Sequence, residues 1–320
     1  MRIRRLALVA LAAFGVAACG GTDEQSEPAT TAPSGPVVVA KIPTGELSRP
    51  CAEVEGFGSL WVTNYGSGEL LRIDPERNEV AESVDVGATP CGLAVGAGSV
   101  WINAYGTDAV ERVDPETLEV ESIPVGTDPF DVLYAAESVW TTNNVDGTVS
   151  RIDPATNRVV ATIETGPGPA GLSEAAGAVW VGSNGTDEIF RIDPATNEVT
   201  TVPVGKAAPA WLAASDDAVW VSNVQDGSVS RIDPATNEVV ANVEVGPQPC
   251  DGVVGPDGLV WIPNRGDGTI SVIDPETNAV TETLRVGPTP FVLNVGFGDV
   301  WAASWGGADV WRIRPGPPRA

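Results

Sequence analysis

The 320-residue chain carries 43 acidic against 18 basic side chains, a net charge of 18 − 43 = −25, and it contains no histidine. Such a surface repels phosphate backbones, so no nucleic-acid partner is expected, and anionic ligands are disfavoured as a class. Without histidine, proton transfer near neutral pH and metal ligation lose their commonest side chain, and the acid excess itself reads as a solubility device rather than as the mark of a cationic partner.

Read from the N-terminus, Arg2, Arg4 and Arg5 precede the apolar run LALVALAAFGVAA, and Val16-Ala17-Ala18-Cys19 resembles the lipobox of bacterial lipoprotein signals. The expectation is a signal peptide over 1–18, lipidation at Cys19, and a disordered, Pro/Ser/Thr/Gly-rich tether over 19–35. About seventeen residues of such chain reach roughly 25 Å, enough to hold a folded body just outside the cell membrane on its extracytoplasmic face. The membrane is thus a partner through the lipid alone, since nothing later is long and apolar enough to span a bilayer.

From residue 36 to 314 the chain repeats itself, leaving 315–320 as a short tail. Trp61, Trp101, Trp140, Trp180, Trp220, Trp261 and Trp301 recur at intervals of 40, 39, 40, 40, 41 and 40 residues, and an Asp-Pro turn follows in phase at Asp74, Asp114, Asp153, Asp193, Asp233 and Asp274. A period near 40 with four short strands per unit, as in PFDVLYAA, SVWTTNN, GTVSRIDP and RVVATIETG, predicts an all-β, seven-bladed β-propeller of four-stranded blades. The Asp-Pro turns have a local cause, because Asp accepts from backbone amides two residues on, Pro presets φ, and Asn tolerates the left-handed region. Asp146, Asp226 and Asp267 in DGT and DGS read as hairpins rather than calcium loops. The last unit stops after VWRIRP, and PVVVAKIPTG at 36–45 matches the fourth strand of the other units. It is therefore predicted to complete the last blade around Val310–Ile313, leaving no open ring edge.

Segments such as LWVTNYGSGELLRIDPERNEVAESVDVGATP resemble the YVTN-type propeller repeat, and the array is similar to the YncE-like and streptogramin B (virginiamycin B) lyase group. That resemblance implies a propeller scaffold. It also implies an elimination reaction on a cyclic depsipeptide, but lyases of this group use histidine as general acid–base, and this chain has none.

Function is sought where the units differ. One variable ring follows a fixed Pro and reads Cys51, Cys91, Phe130, Ala170, Ala210, Cys250 and Phe291, with Asp131, Trp211 and Asp251 among the next residues along. A second follows the Trp strand and includes Tyr65, Tyr105, Asn144, Asn184, Arg265 and Trp305. Both are expected at one mouth of the channel, where Tyr65, Tyr105, Asp131, Asn144, Asn184, Trp211, Asp251, Arg265 and Trp305 form the candidate ligand-binding set. The competing reading is that they cap loops and fill the funnel. The ligand is a small molecule, a peptide or a protein that the sequence does not name.

For catalysis the carboxylates Glu53, Asp131 and Asp251 are the available acids and bases, Asp131 and Asp251 being a possible pair across the funnel for a divalent metal or a glycosidic bond. No motif calls for a cofactor, so a monomeric binding module ranks ahead of a lyase-like enzyme, and that ahead of a structural envelope protein. With Cys19 assigned to lipid, Cys51 and Cys91 occupy equivalent positions of adjacent units about 7 Å apart, a candidate disulfide, and Cys250 is left free.

Overall fold

A computed structural model describes residues 35–317; the signal, Cys19, nearly all of the tether and the last three residues lie outside the described residues. Strands from Val37 to Arg314 form seven four-stranded antiparallel sheets. Blade I runs Pro50–Gly56, Ser59–Asn64, Glu69–Asp74, Glu79–Asp85, and each later blade to VI repeats that order along the chain. Blade VII takes three strands from Pro290–Gly296, Asp299–Ser304 and Asp309–Arg314 and its fourth from Val37–Pro43. That closing strand pairs Val38 with Ile313 and Ile42 with Val310, and Lys41 bonds Asp309 at 2.9 Å, so the two ends of the ring hold each other.

The apolar periodicity explains the packing. All seven repeated tryptophans are buried to 1 % exposure or less, each among aliphatic side chains of its own and the adjoining blade. Five of the indole N–H groups are paired in one way: Trp61, Trp101, Trp140, Trp180 and Trp301 each donate to the carbonyl five residues upstream, at 2.9–3.2 Å.

A second element of the repeat was not read from the sequence. The arginine two residues before the Asp-Pro aspartate lies over the neighbouring Trp ring, as Arg112 over Trp101 at 4.9 Å and Arg151 over Trp140 at 4.8 Å. Its far end reaches the Asp-Pro turn of the next blade. Arg112 donates to Pro154 O and Asn157 Oδ1, Arg151 to Pro194 O and Asn197 Oδ1, Arg231 to Pro275 O and Asn278 Oδ1, and Arg312 to Pro75 O and Asn78 Oδ1, all within 3.1 Å. These four asparagines sit at φ between 52° and 61°, the left-handed region Asn tolerates, which aims the amide oxygen back at the arginine. The Asn of the turn thus serves the joint between blades as well as the hairpin.

The three aspartates in the DG turns also have structural partners, Asp226 accepting from Ala207 N at 3.2 Å. Asp146 accepts from Thr127 N at 2.7 Å, and Asp267 from Thr269 Oγ1 at 2.7 Å, beside Gly147 and Gly268 with φ above 70°.

Candidate functional site

The side chains that vary between repeats are aimed into the channel by a backbone irregularity. In six of the seven blades the register of the inner strand slips just after its first Pro. In blade III, Pro129 faces Asn143 and Val132 faces Thr141, so Phe130 and Asp131 together oppose the single residue Thr142. A bulge of this kind re-aims the side chains it carries. Thr142 holds it from both sides, accepting from Asp131 N at 3.1 Å and donating to Ala170 O of the next blade at 2.8 Å.

Six rings form a closed collar at the mouth. Tyr65 meets Tyr105 (6.2 Å), Tyr105 meets Phe130 (5.3 Å), Phe130 meets Trp211 (5.3 Å), Trp211 meets Phe291 (5.4 Å), Phe291 meets Trp305 (5.5 Å), and Trp305 returns to Tyr65 (4.6 Å). Tilted and edge contacts at such distances stiffen the ring. The collar encloses a cavity of about 440 Å³ with Arg265 in its wall. The guanidinium of Arg265 lies 5.8 Å from the Phe291 ring, and that of Arg49 lies 6.0 Å from Trp305. Tyr105 donates to Phe130 O at 3.2 Å, and burial, reinforced by the charges of Asp131 and Asp128, pushes its phenol well above the usual range, so it remains a donor.

The single funnel expected from sequence is in fact two chambers. Tyr65, Tyr105, Arg265 and Trp305 line the upper cavity with Phe130 and Phe291, and Trp211, which with Phe130 also lines the lower one, completes the collar. Asp131 and Asp251 lie below it, lining a second cavity of about 330 Å³ together with Glu53 and the apolar faces of the inner strands. Asn144 and Asn184 join neither chamber; Asn144 donates to Pro169 O at 2.9 Å, a loop-capping role, and Asn184 is exposed. Among the described residues Arg265 forms no ion pair, so it does not come within ion-pair reach of Asp131 or Asp251. Among the described residues no three acidic or cysteine side chains are grouped to hold a metal, so the Asp131–Asp251 pair lacks the third ligand a bare metal site would need.

The carboxylates of the lower chamber are chemically unusual. Burial raises Asp131 to about 7, against the pull of two amides, Val132 N at 2.8 Å and Leu172 N at 2.7 Å. Burial and then the charge of Asp131 raise Asp251, and burial and then the charge of Asp251 raise Glu53. Glu53 is 1 % exposed and neither of its oxygens has a well-formed hydrogen bond, the Asn294 and Ala303 amides offsetting its burial only weakly. Asp251 owes its place to a break in the pattern. Blade VI keeps only Val253–Val254 as inner strand, and Asp251 bonds blade VII instead, its N–H to Phe291 O (3.2 Å) and its carbonyl from Leu293 N (2.9 Å).

Cys51 and Cys91 form a disulfide linking blades I and II beside the channel, with Cα atoms 5.0 Å apart, closer than the 7 Å that ideal sevenfold geometry suggests. The bulges carrying both residues account for the shorter span. Cys250 is free and buried, and burial pushes its thiol up to about 12, so it is inert.

Known structures place this architecture. A streptogramin B lyase superposes with a TM-score of 0.78 at 16% identity, covering 88% of this chain and 98% of that one. The Kuenenia stuttgartiensis hydrazine synthase gives 0.74 at 15%, covering 85% and 97%. A catalytically inactive virginiamycin B lyase from Staphylococcus aureus with quinupristin gives 0.74 at 15%, covering 86% and 98%. No protein-family model and no curated protein matches the sequence. At these identities the likeness is one of fold: the chain is a seven-bladed β-propeller whose architecture matches that of the streptogramin B lyases.

Proposed function

We propose that this protein is a lipid-anchored extracytoplasmic binding module whose collar receives an apolar or aromatic small molecule or peptide segment. The observation that supports the reading is the closed ring of six aromatic side chains, built from positions where the repeats differ, around a cavity of about 440 Å³. A propeller needs its Trp and turn residues to fold, but it does not need six mutually contacting rings at the mouth of its channel. Flat faces supply burial, and Arg265 supplies a donor for a carbonyl or carboxylate on the ligand. The membrane anchor rests on Cys19 and the apolar leader, and Cys19→Ala should move the protein from the membrane fraction to the soluble fraction; unchanged fractionation would remove the anchor from the proposal. A thermal-shift screen against a library of aromatic small molecules and short peptides tests the collar, because a ligand bound only by the folded state raises the melting temperature by mass action. Hits whose shifts vanish in Trp305→Ala support it. A library without hits, or hits indifferent to Trp305→Ala, would count against it.

A second reading, a lyase-like enzyme, draws on the fold neighbours and on the raised carboxylates of Glu53, Asp131 and Asp251. With Arg265 in one chamber and the acids in the other, acid–base and electrophilic groups are not assembled around one point. Incubation with a streptogramin B antibiotic and a divalent metal is expected to give no linearised product by mass spectrometry, and turnover above the buffer control would reverse the ranking.

A further inference from the structure

The chamber beneath the collar has a composition that the collar does not explain. Its walls come from the inner strands of all seven blades and carry the carboxylates of Glu53, Asp131 and Asp251, on blades I, III and VI, but no lysine or arginine. The remaining lining is largely aliphatic, including Leu93, Val132, Leu212 and Leu293. Tyr134 is the other titratable residue in the wall, where Cys91 is tied up in the disulfide, and Cys250 and Tyr105 lie next to it at the collar. Three carboxylates around a small channel would repel one another if ionised together, and no cationic side chain lines the chamber to offset them.

Two further observations point to a missing donor. Neither oxygen of the buried Glu53 carboxylate has a well-formed hydrogen bond. On the far side, Asn103 is fully buried and donates to Pro129 O at 2.6 Å, which fixes its amide and leaves Oδ1 as a second unpartnered acceptor. Asn103 Oδ1 and the Asp131 carboxylate crowd in on Gly92 together; a side-chain carbon there would lie 2.6 Å from Asp131 Oδ1 and closer still to Asn103 Oδ1, so the position tolerates only glycine. Buried acceptors are ordinarily satisfied, so unmade bonds on Glu53 in the chamber wall and on Asn103 behind Gly92 call for a group that donates several hydrogen bonds.

We propose that this lower chamber is a second binding site, for a small organic cation bearing an alkylammonium or guanidinium group, entered from the face opposite the aromatic collar. An ammonium has three donors and no acceptor, and a guanidinium has five, which suits a set of acceptors with no donors among them. Aliphatic walls suit the hydrocarbon portion of such a molecule, and a volume of about 330 Å³ limits it to a small one. A bare metal ion fits less well, because its ligands must crowd within a few ångströms of one point and no such trio is present among the described residues. In the absence of the cation the acids hold protons, and binding releases them. The site therefore strengthens as pH rises through neutrality, and it stands independently of the collar reading.

Titration calorimetry on the purified protein tests this, with cadaverine, agmatine and spermidine as probes, hexanediol as the neutral counterpart and magnesium as the metal. At least one of the three cations should bind near pH 8 with hexanediol silent, weaken about tenfold or more toward pH 6, and release protons into the buffer. Glu53→Gln and Asp251→Asn should each weaken binding about tenfold, while Trp305→Ala at the collar should leave it unchanged. Silence of all three cations at both pH values would overturn the proposal, as would hexanediol or magnesium binding as well as they do, or undiminished binding by both carboxylate variants. If Trp305→Ala alone abolishes cation binding, the cation sits at the collar and the lower site is wrong, while the collar reading survives.

Discussion

The joint between blades I and II and the joint between blades III and IV solve the same problem at opposite edges of the sheet. Between III and IV the rim is latched, Arg151 stacking on Trp140 and reaching Pro194 O and Asn197 of the next turn. Between I and II the receiving Asn is replaced by Leu118, so Arg72, still over Trp61, turns to Glu82 at 3.1 Å, and the covalent tie is made at the channel by Cys51–Cys91. The other joints without a rim latch follow suit. Blade VI has Val272 where the arginine belongs, and it is joined to VII at the inner edge through Asp251, Phe291 and Leu293. Between IV and V, Arg191 Nε and Asn237 Oδ1 are unpartnered, and Gly171 and Gly182 let the blades meet closely at the Ala210 backbone. Hub bonds such as Thr142 to Ala170 O occur at latched joints too, so where a repeat loses its rim contact the remaining tie is the one at the hub, which is also where the chambers lie.

The largest effect should come from removing the hub tie where no latch backs it. For a loop of 40 residues, chain entropy assigns the Cys51–Cys91 bridge about 4 kcal/mol. Cys51→Ala with Cys91→Ala, or reduction of the parent, should therefore lower the denaturation midpoint substantially, and a shift below about 1 kcal/mol would show that blades I and II are held by something else.

Next in size is the rim. Arg151→Ala removes a ring contact and two inter-blade hydrogen bonds and should destabilise by about 2 kcal/mol, whereas Arg72→Ala, with an exposed carboxylate as its partner, should stay nearer 0.5 kcal/mol. The contrast sharpens with Leu118→Asn, which offers Arg72 the missing acceptor and should recover part of the stability lost with the disulfide. Urea titration of the four proteins checks the order, and equal losses for the two arginine variants would dissolve the distinction between latched and unlatched joints.

The smallest and most conditional effect concerns pH. An acid whose folded pKa is raised binds its proton more tightly when folded, so its contribution is intact below the unfolded value and is lost as pH climbs. For Asp131 that window runs from 3.8 to about 7, and for Glu53 it opens above 4.5. Glu53→Gln removes one such group without altering shape. The variant should match the parent near pH 4 and exceed it in melting temperature near pH 8; the opposite order would mean that Glu53 is stabilised as a carboxylate.

How much of this could be read from the chain follows from where the repeat is strict. The tryptophan interval and the Asp-Pro turns state the propeller and its closure outright, because every unit repeats the same packing and turn chemistry. The arginine latch was equally visible, as Arg72, Arg112, Arg151, Arg191, Arg231 and Arg312 keep phase with the turns, but its partner lies in the next blade, where sequence order does not point. The site was only half legible. Tyr65, Tyr105, Trp211 and Trp305 could be placed at a mouth from their position in the unit, yet adjacent bulge residues take different levels, so Phe130 joins the collar while Asp131 drops into the chamber below. Asn144 and Asn184 share the register of the tyrosines, but the short Asn144 amide bonds the Pro169 carbonyl instead and Asn184 stays exposed.

The account rests on a division of labour between a repeated rim that builds the ring and a variable hub that binds. One paired scan tests it most directly: Tyr65→Ala, Tyr105→Ala and Trp305→Ala at the collar against Arg112→Ala, Arg151→Ala and Arg231→Ala at the rim, each melted alone and with a hit from the small-molecule screen. Collar variants should keep the melting temperature within a few degrees and lose the ligand-induced rise, while rim variants should melt several degrees lower and keep that rise. If the rim variants lose the ligand response while the collar variants retain it, the binding function does not reside in the aromatic collar.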